Sequence, residues 1–136
     1  MTASVVLMTH TGDKNEVIGD PQHADGWYGF SDGRHTVSFN VQNFKGRIWI
    51  QASLELEPKE CDWFDIWLSC DHPYLQYPIN PASPTGQNGG DSGTLAMTFH
   101  VNALWVRAVY SREYLLPPNP NWENYYGAIN KIVLSR

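Results

Sequence analysis

Alternation of apolar and polar residues runs through most of this chain and restricts it to β-structure. In HTVSFNVQ, residues 35–42, Val37, Phe39 and Val41 fall on one side of an extended strand and polar residues on the other. No window has the apolar spacing of an amphipathic helix, so we predict an all-β chain. The predicted strands are residues 4–8, 35–42, 47–56, 62–68, 94–101, 104–110 and 128–135.

Turn-forming residues separate these strands. The pairs Asp25-Gly26, Asp32-Gly33 and Lys45-Gly46 combine residues that are typical of tight turns. Seven or more short strands with turns between them predict an antiparallel β-sandwich or jelly roll. The 136 residues are enough for one core, and we predict a single domain over residues 1–136.

Two long loops interrupt the pattern, at residues 71–93 and 112–127. The prolines of the first loop exclude a central strand, and those of the second stiffen a segment rich in aromatic residues. A stiff loop loses little entropy on docking, so we expect both to be extended contact loops. For the second loop, the alternative is that its aromatic side chains fold back over one end of the sandwich. The predicted contact residues of the two loops are Tyr74, Tyr77, Trp122, Tyr125 and Tyr126.

Composition excludes some partners. The net charge is −5 and no cluster of lysine or arginine occurs, so we expect no nucleic-acid binding. No apolar run is long enough for a signal peptide or a membrane span, so we expect neither targeting nor membrane insertion. Charged residues make up 17% of the chain and aromatic residues 13%. This balance favours a surface that is partly buried against partners or that presents aromatics for binding.

Neither a disulfide nor a metal site is predicted. If the eight residues between Cys61 and Cys70 form one continuous strand, they span about 26 Å, whereas a disulfide needs Cα atoms within about 7 Å. We therefore expect two reduced thiols, as in intracellular proteins. No Cys/His or Asp spacing fits zinc or calcium, and no cofactor is predicted. The histidines match no ligand motif and are expected at the surface: His10, His23, His35, His72 and His100.

The segment GRIWIQASLELEPKECDWFDIW, residues 46–67, holds five carboxylates and three tryptophans. A hairpin that pairs Ser53 with Asp65 would make Glu55 and Asp65 diagonal neighbours, which resembles the carboxylate pair of a glycosidase. We expect this pair to lie on a flat strand face without a cleft, and so we predict no catalytic residue and no enzymatic activity.

The tryptophans of this segment need a different explanation. Trp49, Trp63 and Trp67 share the outer face of the predicted hairpin, where they expose a large apolar area unless something covers them. A long loop of the same chain, a neighbouring subunit and a sugar are three coverings that the sequence leaves open.

Three stretches carry a resemblance: FNVQNFKGRIWIQASLELEPKECDWFDIW, FHVNALWVRAVYSREYL and YGAINKIVLS. Across residues 35–69 and 98–134 the chain resembles small jelly-roll virion structural proteins of tailed phages, including myoviruses of cyanobacteria. The resemblance implies a multi-copy or homo-oligomeric subunit that contacts other virion proteins in the head, neck, baseplate or fibre. It also implies assembly in the host cytoplasm and location in the virion, and it transfers no catalytic residue.

We therefore expect a non-enzymatic structural subunit of a phage virion that acts through protein–protein contacts. The alternative is a carbohydrate-binding module that recognises a host surface glycan. The residues predicted to contact a partner or a glycan are Trp49, Trp63, Trp67, Tyr74, Tyr77, Trp122, Tyr125 and Tyr126.

Overall fold

Among the residues that it describes, a computed structural model of the chain has ten β-strands, two 3-10 turns and no α-helix. Those residues are 4–9, 16–29, 33–68, 71, 73–77, 79–80, 82–86, 90–111 and 127–135. The strands are β1 (Ser4–Thr9), β2 (Glu16–Ile18), β3 (Gln22–His23), β4 (Arg34–Phe44), β5 (Gly46–Ser53), β6 (Phe64–Ile66), β7 (Leu75–Tyr77), β8 (Asp91–His100), β9 (Trp105–Ser111) and β10 (Ala128–Ser135). The predicted all-β class is therefore confirmed.

The strands form two antiparallel sheets that pack face to face as a sandwich. Sheet A has the order β1-β10-β4-β8. In sheet B, β9 and β5 pair with each other at the centre. The second edge of β9 pairs with β2 and β3, and the second edge of β5 pairs with β6 and β7. The predicted antiparallel β-sandwich is confirmed.

The alternating apolar residues fill the space between the sheets. Val37 and Phe39 of β4, and Ile48 and Ile50 of β5, are completely buried. Burying each such side chain fully stabilises the fold by about 1.5–3 kcal/mol. The alternation thus determines which side of each strand faces the core, and the intervening residues form the outer face of each sheet.

A sharp corner takes the chain from sheet A to sheet B. β4 ends at Phe44 and β5 begins at Gly46, so Lys45 alone separates two strands of different sheets. The buried ring of Phe44 makes edge-to-face contacts with Tyr77 at 5.5 Å and with Tyr110 at 5.9 Å. A Cβ atom on Gly46 would lie 2.7 Å from Cζ of Phe44, so the corner needs glycine at this position.

The backbone just before the corner is also closely enclosed. The register between β4 and β8 shifts between Val41 and Phe44, and Asn43 has a φ of +52°, which asparagine tolerates better than most residues. The Asn43 backbone N–H donates to Oγ of Ser92 at 2.9 Å. A Cβ atom on Gly90 or Gly127 would overlap with the backbone around Asn43. Small residues from two other segments therefore make room for the corner.

All seven predicted strands are present; β10 has the predicted ends, and the ends of the other six are shifted by up to three residues. Three short strands were not predicted, namely β2, β3 and β7. β7 lies inside the predicted loop 71–93, and β8 begins there too, at Asp91, so the prediction of one continuous loop is wrong. The sequence of β7 falls between Pro73 and Pro78, so no proline interrupts its three residues.

The predicted pairing of residues 47–56 with 62–68 has the correct partner but the wrong register. Gln51, not Ser53, lies opposite Asp65. β5 ends at Ser53, whose carbonyl accepts a hydrogen bond from the Leu104 backbone N–H, and Glu55 is exposed beyond the strand. The expected pair of Glu55 and Asp65 is therefore absent, because the slip of two residues keeps the same face but changes every neighbour.

Two further expectations about single residues need correction. Cys61 is a free, exposed cysteine, as predicted, but it lies in the 3-10 turn Glu60–Asp62, so no continuous strand follows it. Cys70 lies outside the described residues. His35 is completely buried rather than exposed, because it alternates with Val37 on the inner face of β4. Its ring stacks on Phe99 at 5.4 Å. No helix in the described part of the chain is long and apolar enough to cross a membrane.

We expect Gly46→Ala to lower the free energy of unfolding by about 1–3 kcal/mol, because the new methyl group pushes against the buried Phe44 ring. Urea unfolding followed by fluorescence measures the change. Combining it with Phe44→Leu, which frees space at that point, should cost less than the sum of the two single changes. Simple additivity would show that the two residues do not compete for this space.

Candidate functional site

The outer face of sheet B carries most of the functional side chains of the described residues. Trp49 and Gln51 on β5, and Trp105 and Arg107 on β9, alternate with core residues and so point away from the core. Trp63 and Asp65 come from the segment that pairs with β5, and the predicted outer position of Asp65 is confirmed by its pairing with Gln51.

Arg107 is the centre of this face. Only 6% of its surface is exposed, although it is charged and lies outside the core. Its guanidinium carbon is 4.2 Å from the centroid of the Trp63 ring, its Nε donates to Gln51 Oε1 at 2.9 Å, and its Nη2 donates to Glu60 Oε1 at 2.9 Å. A buried cation without partners would be strongly destabilising. The Trp63 ring, Gln51 and Glu60 are the partners that stabilise the Arg107 guanidinium.

The carboxylates near Arg107 act as hydrogen-bond acceptors. The hydrogen bond from Arg107 and its positive charge lower the pKa of the Glu60 carboxyl, so Glu60 is ionised at neutral pH. Gln51 links the two strands, because its Nε2 donates to Asp65 Oδ1 at 3.0 Å while its Oε1 accepts from Arg107. An ionised Glu60 is suited to accepting hydrogen bonds and unsuited to donating a proton as a general acid.

Trp105 is held in place from two sides. Its Nε1–H donates to the carbonyl of Leu56 at 3.2 Å. On the other side its ring packs against His23 at 4.4 Å and against Trp27 at 5.2 Å, and the rings of His23 and Trp27 stack at 4.0 Å with an angle of 4° between their planes. The indole is only partly exposed, and its orientation is therefore fixed before any ligand arrives.

A cleft of about 410 Å³ opens between these residues. We call it the Trp63–Trp105 cleft. The prediction of a flat face without a cleft is therefore wrong here. The segment that joins β5 to β6 leaves the sheet and lies beside Trp105, and the cleft is between them. The cleft is lined by Pro21, Pro58, Glu60, Trp63, Trp105 and Arg107.

The other predicted contact residues lie in different places. Trp49 packs against Tyr74 at 5.5 Å, and Tyr74 also lies 4.5 Å from the Arg47 guanidinium. Trp67 is 60% exposed. The predicted row of three tryptophans is therefore divided among different neighbours, and of the three only Trp63 lines the cleft. Trp122, Tyr125 and Tyr126 lie outside the described residues.

Sequence reasoning missed Trp105, Arg107 and Glu60 as site residues. The sequence did carry a signal for Trp105 and Arg107. Both alternate with the predicted core residues of LWVRAVY, residues 104–110, and so were expected to point outward. Glu60 carried no such signal, since it lies in a turn where charge is ordinary.

A second feature is an opening along one side of the sandwich. Leu95 of β8 pairs opposite Phe39, and Phe64 of β6 pairs opposite Ala52, so both side chains point toward the core side of their sheets. Even so, Leu95 is 37% exposed and Phe64 is 41% exposed. Both strands are at sheet edges, and the sheets do not close over these residues. We call this region, with the exposed Ile79 that lines the same depression as Leu95, the open side.

The open side contains a depression of about 340 Å³ whose lining includes Val41, Tyr77, Ile79, Asp91 and Leu95. Tyr77, predicted as a contact residue in a loop, is buried in β7, and its hydroxyl has no hydrogen-bond partner among the described residues. Burial and the nearby Asp91 carboxylate raise the pKa of Tyr77, so the hydroxyl stays a donor at neutral pH. Asp91 itself accepts from the backbone N–H groups of Ile79 at 2.7 Å and Thr85 at 3.1 Å.

Comparison with family models, with curated proteins and with solved structures found no match to this chain. Among the residues that the structure describes, no group of three or more His, Cys, Asp or Glu side chains is arranged to hold a metal ion. The cleft and the open side are the two candidate sites of the described residues.

We expect the Glu60 carboxyl to titrate below its ordinary pKa, and Arg107→Gln to move that pKa back up, because the charge and the hydrogen bond both come from Arg107. Since the folded-state pKa is the lower one, the interaction favours the fold above roughly pH 4.3 and is lost as the pH falls through the folded-state value. Carboxyl ¹³C NMR over a pH series measures the pKa of Glu60 in the wild-type protein and in Arg107→Gln. Identical Glu60 curves would contradict the assignment.

Proposed function

We propose that this protein is a non-enzymatic structural subunit of a phage virion and that it docks to a second copy of itself through the open side. The observation that carries the proposal is the exposure of Leu95 and Phe64, two apolar side chains that point to the core side of edge strands. Monomeric proteins rarely leave such positions open, and a neighbouring subunit is the natural cover.

The edge of β8 supports this docking. β8 pairs with β4 on one edge, and no described strand pairs with the other. Monomers commonly protect such edges with lysine or proline, whereas the ten residues of β8, DSGTLAMTFH, contain neither. At the start of β8 the backbone N–H and carbonyl of Ser92 are hydrogen-bonded to Thr85 Oγ1, at 3.0 Å each. The rest of this long edge has no described strand beside it, which favours the addition of a strand from another chain.

A second copy fits this edge by its own symmetry. Antiparallel pairing of two β8 strands around Ala96 sets Leu95 opposite Met97 of the neighbour and Thr94 opposite Thr98, so the inner and outer faces of sheet A continue across the junction. Leu95 and Met97 would then cover each other across the junction.

Other observations agree with a subunit that is buried in an assembly. Ten large apolar side chains among the described residues are at least 37% exposed, and charged residues make up only 17% of the chain. The resemblance of residues 35–69 and 98–134 to virion structural proteins indicates which kind of assembly. The same resemblance transfers no catalytic residue, and this is the support for the non-enzymatic part of the proposal.

We expect Leu95→Lys to weaken self-association about tenfold or more, because it places a charge in the contact. Sedimentation velocity on purified protein measures the monomer–dimer balance, and mass spectrometry of purified particles measures copy number. The matched control is Val6→Lys, which changes an exposed apolar residue on β1, the other edge strand of sheet A. A wild-type protein that stays monomeric and is absent from particles would overturn the proposal.

Tyr77→Phe should separate assembly from folding. In the isolated chain, removing an unpaired buried hydroxyl leaves the free energy of unfolding unchanged or raises it by up to about 1 kcal/mol. Association should be unchanged, because the hydroxyl is buried within its own subunit and does not lie on the contact surface. Urea unfolding and sedimentation equilibrium give the two values. A destabilised monomer would show that the hydroxyl has a partner within its own chain, and weakened association would show that it reaches the neighbour.

A further inference from the structure

We infer that the Trp63–Trp105 cleft binds a neutral oligosaccharide. The inference goes beyond the proposed docking of subunits, because it concerns the outer face of sheet B and shares no lining residue with the depression of the open side. It rests on the walls, the polar groups and the charge balance of the cleft.

The walls of the cleft suit a sugar ring. The partly exposed rings of Trp63 and Trp105 line the cleft, and the C–H faces of a pyranose stack on such rings. Both rings are oriented in advance, Trp63 by the Arg107 guanidinium at 4.2 Å and Trp105 by its hydrogen bond to Leu56. Pro21 and Pro58 add rigid walls. Little conformational freedom would be lost on binding, which favours affinity in a small site.

The polar groups between the walls suit hydroxyl groups. Arg107 uses one of its five N–H donors on Gln51 and one on Glu60. The Glu60 side chain is 77% exposed, and a carboxylate can accept several hydrogen bonds in addition to the one from Arg107. The cleft therefore offers a planar donor beside a planar acceptor. Neighbouring hydroxyls of a sugar, each both donor and acceptor, match this combination.

The charges favour a neutral ligand over an acidic one. Arg107 and Glu60 are the charged residues among those that line the cleft, and they pair with each other at 2.9 Å. A sulfate or uronate group would compete with Glu60 for Arg107 and would meet a chain of net charge −5. A neutral pyranose needs no countercharge and leaves the ion pair intact.

The size of the cleft and its surroundings point to a short chain of sugars. Its volume of about 410 Å³ falls in the range of small-molecule sites rather than protein interfaces. Trp27 and Tyr28, 41% and 46% exposed, lie next to Trp105 through their ring contacts with His23. These two rings extend the stacking surface beyond the cleft for a further sugar unit.

The test is a titration of the full chain with neutral hexasaccharides of glucose, galactose, mannose and xylose, and with sulfated and uronic-acid oligosaccharides. Tryptophan fluorescence and calorimetry report binding. We expect at least one neutral hexasaccharide to bind, and the acidic ones to bind about tenfold or more weakly by comparison. Trp63→Ala and Trp105→Ala should each weaken binding about tenfold or more, because each removes a stacking ring.

The matched control is Trp67→Ala, since Trp67 is 60% exposed and does not line the cleft, and its affinity should equal that of the wild type. A second variant covers the case in which a tryptophan variant does not fold. Glu60→Gln changes an exposed side chain, so it should fold normally, and we expect its affinity for the sugar to fall several-fold. Failure of every neutral hexasaccharide to bind, preference for acidic sugars, or equal losses for Trp67→Ala and Trp63→Ala would each overturn the inference. Leu95→Lys should bind sugar normally, so failure of the docking proposal and failure of this one are separable.

Discussion

The corner between β4 and β5 is the constraint on which the sandwich depends. These two strands are central in different sheets, and a single residue, Lys45, joins them. With so short a link, the packing of the Phe44 ring over Gly46 determines how one sheet lies over the other. Because the inner faces of both sheets are fixed in this way, function is left to their outer faces and edges. The cleft is on an outer face and the open side is at an edge.

Arg107 fixes the arrangement of the outer face of sheet B, as the corner fixes the arrangement of the core. A guanidinium with 6% of its surface exposed must be satisfied by its surroundings, and its partners come from three places: Gln51 in β5, Glu60 in a 3-10 turn and Trp63 beside β6. These contacts hold the segment between β5 and β6 against the sheet. The cleft exists because that segment is held there, so the residue that organises the site also forms part of its surface.

The alternation in the sequence predicted the strands well, and β10 has the predicted ends. It also predicted that Trp49, Trp63 and Asp65 lie on the outer side, since parity survives a slip of two residues. It could not give the register of β5 with β6, and it could not reveal two- and three-residue strands such as β2, β3 and β7. The burial of Arg107 was hidden for another reason. Alternation assigns a charged residue to solvent, whereas its cover comes from distant Trp63 and Glu60.

The cleft and the open side occupy different surfaces, and this separation has a consequence for binding strength. If subunits pair through β8 as proposed, the contact and the Trp63–Trp105 cleft share no lining residue, and the assembly would display one cleft per copy. A single shallow site holds a sugar weakly, but several sites on one rigid body rebind a many-branched surface before it can diffuse away. Avidity of this kind comes from the geometry of the assembly and needs no tighter individual site.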